Sequence, residues 1–199
     1  MDFQDKINLY KVRNTIIEMI EDRGIHVPEI EKIGIDEFII KYNNKLLDIY
    51  IEDNDIKIYV YFHNDVKNFS KNDLKNIMKK ITNDYEDNIN VILLLREKEN
   101  SAVTKELSKE IYKNVEVFLK KNMMFNITHH EYVPKHSILS KEEEKDLLEK
   151  YNLTTSKKLP KISKDDPVAK YYGMKTDQIC KIIRKSPEVG TYIYYRLVR

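Results

Sequence analysis

The chain contains one cysteine, Cys180, in 199 residues, so no disulfide can form within it and a reducing intracellular compartment fits best. No apolar run approaches the roughly 20 residues of a helical membrane span. The opening residues, Met1-Asp2-Phe3-Gln4-Asp5-Lys6, are acidic and polar rather than signal-like, so no membrane is expected as a partner. Glycine and proline are scarce, at 4 and 5, and no linker rich in them marks a domain boundary. A glycine-rich phosphate loop and a Gly-x-Ser-x-Gly elbow are both absent, which removes two common enzyme templates. Arginine is rare too, yet three of its six copies fall in the last sixteen residues.

What remains is enough for a real core: 41% of residues are hydrophobic, sufficient for one large or two small domains. The net charge of +2 hides an asymmetry. Residues 126–199 hold 15 Lys/Arg against 10 Asp/Glu, a net of +5, leaving 20 against 23 and a net of −3 for residues 1–125. A mildly acidic N-terminal part is poorly suited to binding DNA alone, because non-specific affinity comes from Lys and Arg neutralising phosphates.

Periodicity predicts an alternation of elements through residues 1–125. Leu9, Val12, Ile16, Ile17 and Ile20 have helical spacing, with Gly24 placed to end the helix. A second helix is expected over 35–42, then a hairpin of strands 46–51 and 56–62 about Asp53-Asn54. Ser70 with Asp73 caps a helix over 71–85, and Val91-Ile92-Leu93-Leu94-Leu95 reads as a strand covered on both sides, at the sheet centre. Ser101 is placed to cap a helix reaching 108–110, before a strand over 115–119. These elements imply a three-layer α/β domain over 1–125, with the boundary near 122–125.

The remainder, 126–199, reads as a small α+β domain. Ser140 and Glu143 form a capping box for a helix through Lys150, and Asp165-Asp166-Pro167 opens a shorter one ended by Gly173. Strands over 178–184 and 192–198, joined by a turn through Pro187 and Gly190, close the chain.

Two enzymatic readings arise from these residues. His129-His130-Glu131 with His136 could suggest a metal, but adjacent residues of an extended segment point to opposite faces, and one cysteine removes the usual structural zinc sets. No metal or cofactor is expected. Asp48 with Asp55-Ile56-Lys57 resembles the acidic-plus-lysine set of metal-dependent nucleases. Asp55, however, sits in the tight turn itself, only seven residues from Asp48. Cys180, among Ile179, Ile182 and Ile183, is expected as a buried small hydrophobe, and the run 141–146 as a solvated helix face.

A binding surface is the better-supported expectation. Arg184 and Arg196 accompany Tyr171, Tyr172, Tyr192, Tyr194 and Tyr195, and arginine forks with tyrosine anchors suit an interface. The same region carries an ordered series of motifs: Asn126-Ile127-Thr128-His129-His130-Glu131-Tyr132-Val133-Pro134-Lys135-His136, Leu159-Pro160-Lys161-Ile162, Asp166-Pro167-Val168-Ala169-Lys170-Tyr171-Tyr172-Gly173, Ile182-Ile183-Arg184-Lys185-Ser186, and Tyr194-Tyr195-Arg196. In order and spacing this series resembles the C-terminal domain of the fifth subunit of eukaryotic-type DNA-directed RNA polymerases, a domain that stands alone in the archaeal counterpart.

The resemblance implies a non-catalytic subunit of a multisubunit DNA-dependent RNA polymerase. Its 126–199 domain would dock on the largest subunit near the small omega-like subunit, and its 1–125 domain would be a nuclease-like jaw, without activity, over downstream duplex DNA. The partner interface it implies includes His130, Pro134, Lys135, His136, Pro160, Asp166, Pro167, Arg184, Lys185, Tyr195 and Arg196. Ser101 and Lys105 stand where the family approaches DNA, in Asn100-Ser101-Ala102, which lacks the family's proline. Such helix-start residues could meet a phosphate. The nucleus is the implied location, or host cytoplasm and virion for a version encoded by a large DNA virus. The alternatives are a free-standing nuclease-like nucleic-acid-processing enzyme and a free-standing regulator carrying the same assembly domain.

Overall fold

The computed structural model describes residues 3–63, 68–85, 89–186 and 190–199. The chain divides into two compact units, Met1–Phe125 and Asn126–Arg199. No helix among the described residues is long and apolar enough to cross a membrane.

In the first unit, helix α1 (Phe3–Asp22) buries Leu9, Val12, Ile16, Met19 and Ile20 along one stripe, as its spacing predicts. It ends where Gly24 takes a left-handed conformation and Ile25 N–H returns to the Ile20 carbonyl. Helix α2 (Ile35–Asn43) ends in the same way with Lys45 left-handed at φ 57° and Leu46 N–H on the Lys41 carbonyl. That closure consumes residues expected to begin a strand. Strand β1 is therefore Ile49–Asp53 rather than 46–51, and Leu46 stays exposed. Strand β2 (Ile56–Phe62) pairs with it antiparallel around a left-handed Asn54.

Helix α3 (Lys71–Asp84) begins at a complete Ser70–Asp73 capping box and leads to β3 (Asn90–Leu95). Helix α4 (Ser101–Leu107) leads to β4 (Val115–Leu119). Its N-cap is Asn100, whose side chain accepts from Val103 N–H, and Ser101 is the first helical residue instead of the cap. The side-chain carbonyl of Asn100 takes the donor that Ser101 was expected to satisfy.

The sheet order is β1-β2-β3-β4, with β3 interior and parallel to both neighbours. Two parallel crossovers advancing in one direction place both helices on one face when each is right-handed. Leu74, Ile77 and Ile81 of α3 and Val103 of α4 accordingly cluster with Tyr59, Val91, Leu93 and Leu95. The opposite face buries Ile49, Ile51, Val60, Ile92 and Leu94. Glu116, in register with Ile92 on that face, accepts both guanidinium nitrogens of Arg23 at 3.1 and 2.8 Å, so the end of α1 covers it. The unit is thus layered helix, sheet, helix. Arg13 of α1 is almost wholly buried and pairs with Glu31.

The second unit is a mixed sheet of order β5-β7-β8-β6. The long hairpin of β7 (Ile179–Ser186) and β8 (Gly190–Val198) forms its centre. Gly190 is left-handed, as its turn position requires, while Pro187 lies outside the described residues. Strands β5 (Lys135–Ile138) and β6 (Lys161–Ile162) flank the hairpin. Helix α5 (Lys141–Lys150) starts at the Ser140–Glu143 capping box, and Leu147 packs with Ile179 and Leu197. Helix α6 (Pro167–Tyr171) starts at Asp166, whose carboxylate accepts from Val168 and Ala169 N–H, and ends at a left-handed Gly173. Ala169 packs with Cys180, Ile182, Ile162 and Val198 on the other sheet face.

Candidate partner-binding groove

The pleat decides which side chains meet on the second sheet. Neighbouring residues of a strand point to opposite faces. Cys180, Ile182 and Arg184 of β7 share a face with Tyr194 and Arg196 of β8, through the pairs Cys180–Arg196 and Ile182–Tyr194. His136, opposite Ile182, and Ile162, opposite Val198, bring β5 and β6 to the same face. Helix α6 covers only one end of it. The uncovered part is a groove of about 440 Å³, lined by His136, Ile162, Ile182, Arg184, Tyr194 and Arg196, by Tyr132, Val133 and Pro134 before β5, and by Asp166 and Val168 at the start of α6.

Five residues expected at a partner interface are therefore brought together: Pro134, His136, Asp166, Arg184 and Arg196. The others are not. Lys135, Lys185 and Tyr195 alternate onto the opposite face, where Tyr195 packs beside Leu147 and meets the Tyr151 ring at 6.2 Å. His130 lies 5.6 Å from the Tyr132 ring, ring centroid to ring centroid. Pro160 accepts Leu197 N–H through its carbonyl, and Pro167 is the first residue of α6.

The electrostatics of the groove are uneven. Arg184 lies 6.0 Å from the centre of the Tyr194 ring, and Arg196 donates to the Lys161 carbonyl at 3.1 Å. Neither forms an ion pair among the described residues. The carboxylate on the lining, Asp166, is committed to capping α6. The His136 ring Nδ1 lies 2.6 Å from the Pro134 carbonyl, so Nδ1 carries the proton in the neutral ring. Burial lowers the His136 pKa, outweighing the Pro134 carbonyl and Asp166, with Arg184 and Arg196 adding to the lowering. Burial pushes the Cys180 thiol up to about 11, in keeping with a packed small hydrophobe.

A buried link anchors the start of this unit. Asn126 Nδ2 donates to the Tyr171 hydroxyl at 2.8 Å, while its Oδ1 accepts from the Thr128 N–H and hydroxyl. The histidine motif is thus a turn held by its asparagine. Among the described residues no cluster of His, Cys, Asp and Glu could hold a metal.

The nuclease set is dispersed. Asp48 accepts from the Tyr59 hydroxyl at 2.8 Å and Phe62 N–H at 3.1 Å, which raises the Tyr59 pKa together with the stronger effect of burial. Asp55 lies beyond the far end of β1, roughly 15 Å away along a strand of this length. Ser101 and Lys105 are exposed, one helical turn apart on α4. Beneath them Glu106 is buried between Lys71 and Lys109, each at 2.9 Å, and Lys109 and Lys71 hold its pKa down at about 2.

Comparison with known proteins matches two separate parts of the chain. A family model described as "RNA polymerase Rpb5, C-terminal domain" matches residues 125–198, and one described as "RNA polymerase Rpb5, N-terminal domain" matches residues 4–81. Subunit RPABC1 of DNA-directed RNA polymerases I, II, and III from Caenorhabditis elegans is 32% identical over 99% of this chain and 98% of its own length. The Dictyostelium discoideum protein of the same description is 32% identical over 98% of each. The chain belongs to the Rpb5 family.

This Rpb5-family chain is a non-catalytic subunit of a DNA-directed RNA polymerase, with catalysis carried by other subunits. Sequence reasoning missed Tyr132, Val133, Ile162, Val168 and Ile182 as groove residues. Strand alternation around Arg184 was the available signal for Ile182. Ile162 had none, because its strand is only two residues long.

Proposed function

We propose that the unit Asn126–Arg199 docks this protein on the largest polymerase subunit, beside the small omega-like subunit, through the groove and the adjoining edge of β8. The observation that carries this reading is the edge itself. Strand β6 pairs with β8 only at Leu197 and Val198, so residues 190–195 have no strand on their outer side among the described residues. Ile193 and Tyr194 are 45% and 46% exposed along it. An uncovered edge with exposed apolar side chains pairs readily with another chain unless something covers it. Arginine and tyrosine in the adjacent groove have the composition of an interface centre.

The unit Met1–Phe125 then serves as a jaw of nuclease-like fold beside downstream duplex DNA, without activity of its own. Its net negative charge makes phosphate contact local and secondary, with Ser101 and Lys105 as the contacting residues. The complex works in the nucleus.

The test is to tag the protein, purify it from its native source in moderate salt and quantify what elutes with it. The two largest polymerase subunits are expected in stoichiometric amounts, and Arg184→Ala with Arg196→Ala should reduce them. Elution alone, or only with nucleic acid, would overturn the reading and make a metal-dependent cleavage assay the next step.

A further inference from the structure

We propose that the groove holds a short carboxylate-bearing segment of the partner polymerase chain, an Asp or Glu side chain lying between Arg184 and Arg196 with an apolar neighbour against Ile162, Val168 and Ile182. The inference rests on reading this face as a docking surface, and adds what the partner must present to it.

Charge complementarity carries it. Two guanidinium groups line one concave surface, and neither has a carboxylate partner among the described residues. Arg184 lies against the Tyr194 ring, and Arg196 spends one donor on the Lys161 carbonyl, so each retains several N–H groups. Asp166 forms no ion pair with either arginine, and its Oδ1 accepts from Val168 N–H at 2.9 Å and Ala169 N–H at 3.4 Å. A planar guanidinium binds a carboxylate through two parallel hydrogen bonds, and does so best where water is partly excluded. Neutral His136 adds no third cation, and the floor beside the arginines is apolar.

The same features argue against a nucleic-acid strand. A phosphate backbone is followed by a line of cations, whereas this concavity has two arginines, a carboxylate in its wall and an apolar floor. A volume of about 440 Å³ suits a few side chains, in the range of ordinary ligand pockets.

The experiment uses the polymerase assembled with the full tagged chain, in which a benzophenone side chain replaces Tyr132, 84% exposed on the groove rim. Irradiation followed by mass spectrometry of the cross-linked peptides should identify a segment of a polymerase subunit with Asp or Glu beside the attachment point. In the otherwise unmodified chain, Arg184→Gln and Arg196→Gln should each weaken association with polymerase depleted of this chain by about tenfold or more. Lys145→Gln, on the solvent side of α5, is the control for loss of one charge and should leave association unchanged. Cross-linking to nucleic acid, to a segment without a carboxylate, or to nothing while the subunits still co-elute would overturn the inference and leave the docking reading standing. Failure of the unmodified chain to co-elute would overturn both.

Discussion

Tyr171→Phe removes one hydroxyl from the second unit and leaves its ring in place. That hydroxyl accepts a hydrogen bond from Asn126 Nδ2 at 2.8 Å in a buried setting, where Tyr171 is 2% exposed. Asn126 Nδ2 also meets His129 Nε2 at a longer 3.4 Å, a contact that uses its second N–H and leaves the first dependent on the Tyr171 hydroxyl. A buried donor left without its acceptor costs about 1–3 kcal/mol. The single cysteine supplies a probe confined to this unit, since Cys180 is fully buried in its core. Its folded-state pKa of about 11 leaves the native thiol protonated near pH 8, so labelling proceeds through opening of the unit. With fast reclosing, the rate follows the opening equilibrium, and a loss of about 1–3 kcal/mol becomes an acceleration of roughly 5- to 150-fold. The assay is thiol labelling of the full chain followed by mass spectrometry. Asn126→Ala combined with Tyr171→Phe should accelerate labelling by less than the product of the single effects, because both remove one interaction. A change under twofold for Tyr171→Phe, or effects that simply multiply, would refute the reasoning.

Lys120, half-buried with its Nζ donating to the His63 carbonyl at 2.6 Å, is lowered to a pKa of about 8 by burial and by Arg96. From pH 8 to its ordinary 10.5 the unfolded chain binds the extra proton, so stability should rise with pH by at most about 3 kcal/mol, and Lys120→Met should flatten that rise in paired urea titrations. Glu106 has the same sign in an acid window: its depressed pKa contributes stability above about 4.5 that is lost as pH falls to about 2, so the advantage of wild type over Glu106→Gln in acid titrations should fade across that window. Docking binds only the folded form, so Cys180 labelling should slow in the assembled polymerase, by roughly 100-fold when the free partner stands at 100 times its Kd; equal rates in free and assembled protein would contradict docking by this unit.

Local chemistry made the capped helices legible. Ser70, Ser140 and Asp166 each satisfy backbone donors within three residues, so the helix starts follow from the sequence alone. The apolar run of β3 likewise announces an interior strand, because no exposed position interrupts it. The errors occur where distant partners or competing local bonds decide. Lys45 in a left-handed conformation ended α2 and delayed β1, a use of lysine that no propensity marks. Strands β5 and β6 are four and two residues long and exist because the β7–β8 hairpin is there to pair with.

The groove shows the same division at finer scale. Arg184 and Arg196 were legible as individuals, being rare residues among tyrosines, but their meeting depends on a register that pairs Cys180 with Arg196 and Ile182 with Tyr194. A slip of one residue would exchange Arg196 for Tyr195 or bring Lys185 to this face. That register is fixed largely outside the groove, by Cys180 and Val198 packing under α6 and by Ile179 and Leu197 packing under α5. Each helix covers one apolar cluster near the same end of the hairpin and leaves the other end open. The covered end therefore sets the register that the open end presents, and core substitutions at Ile179 or Leu197 would act on recognition through the pleat without touching a partner.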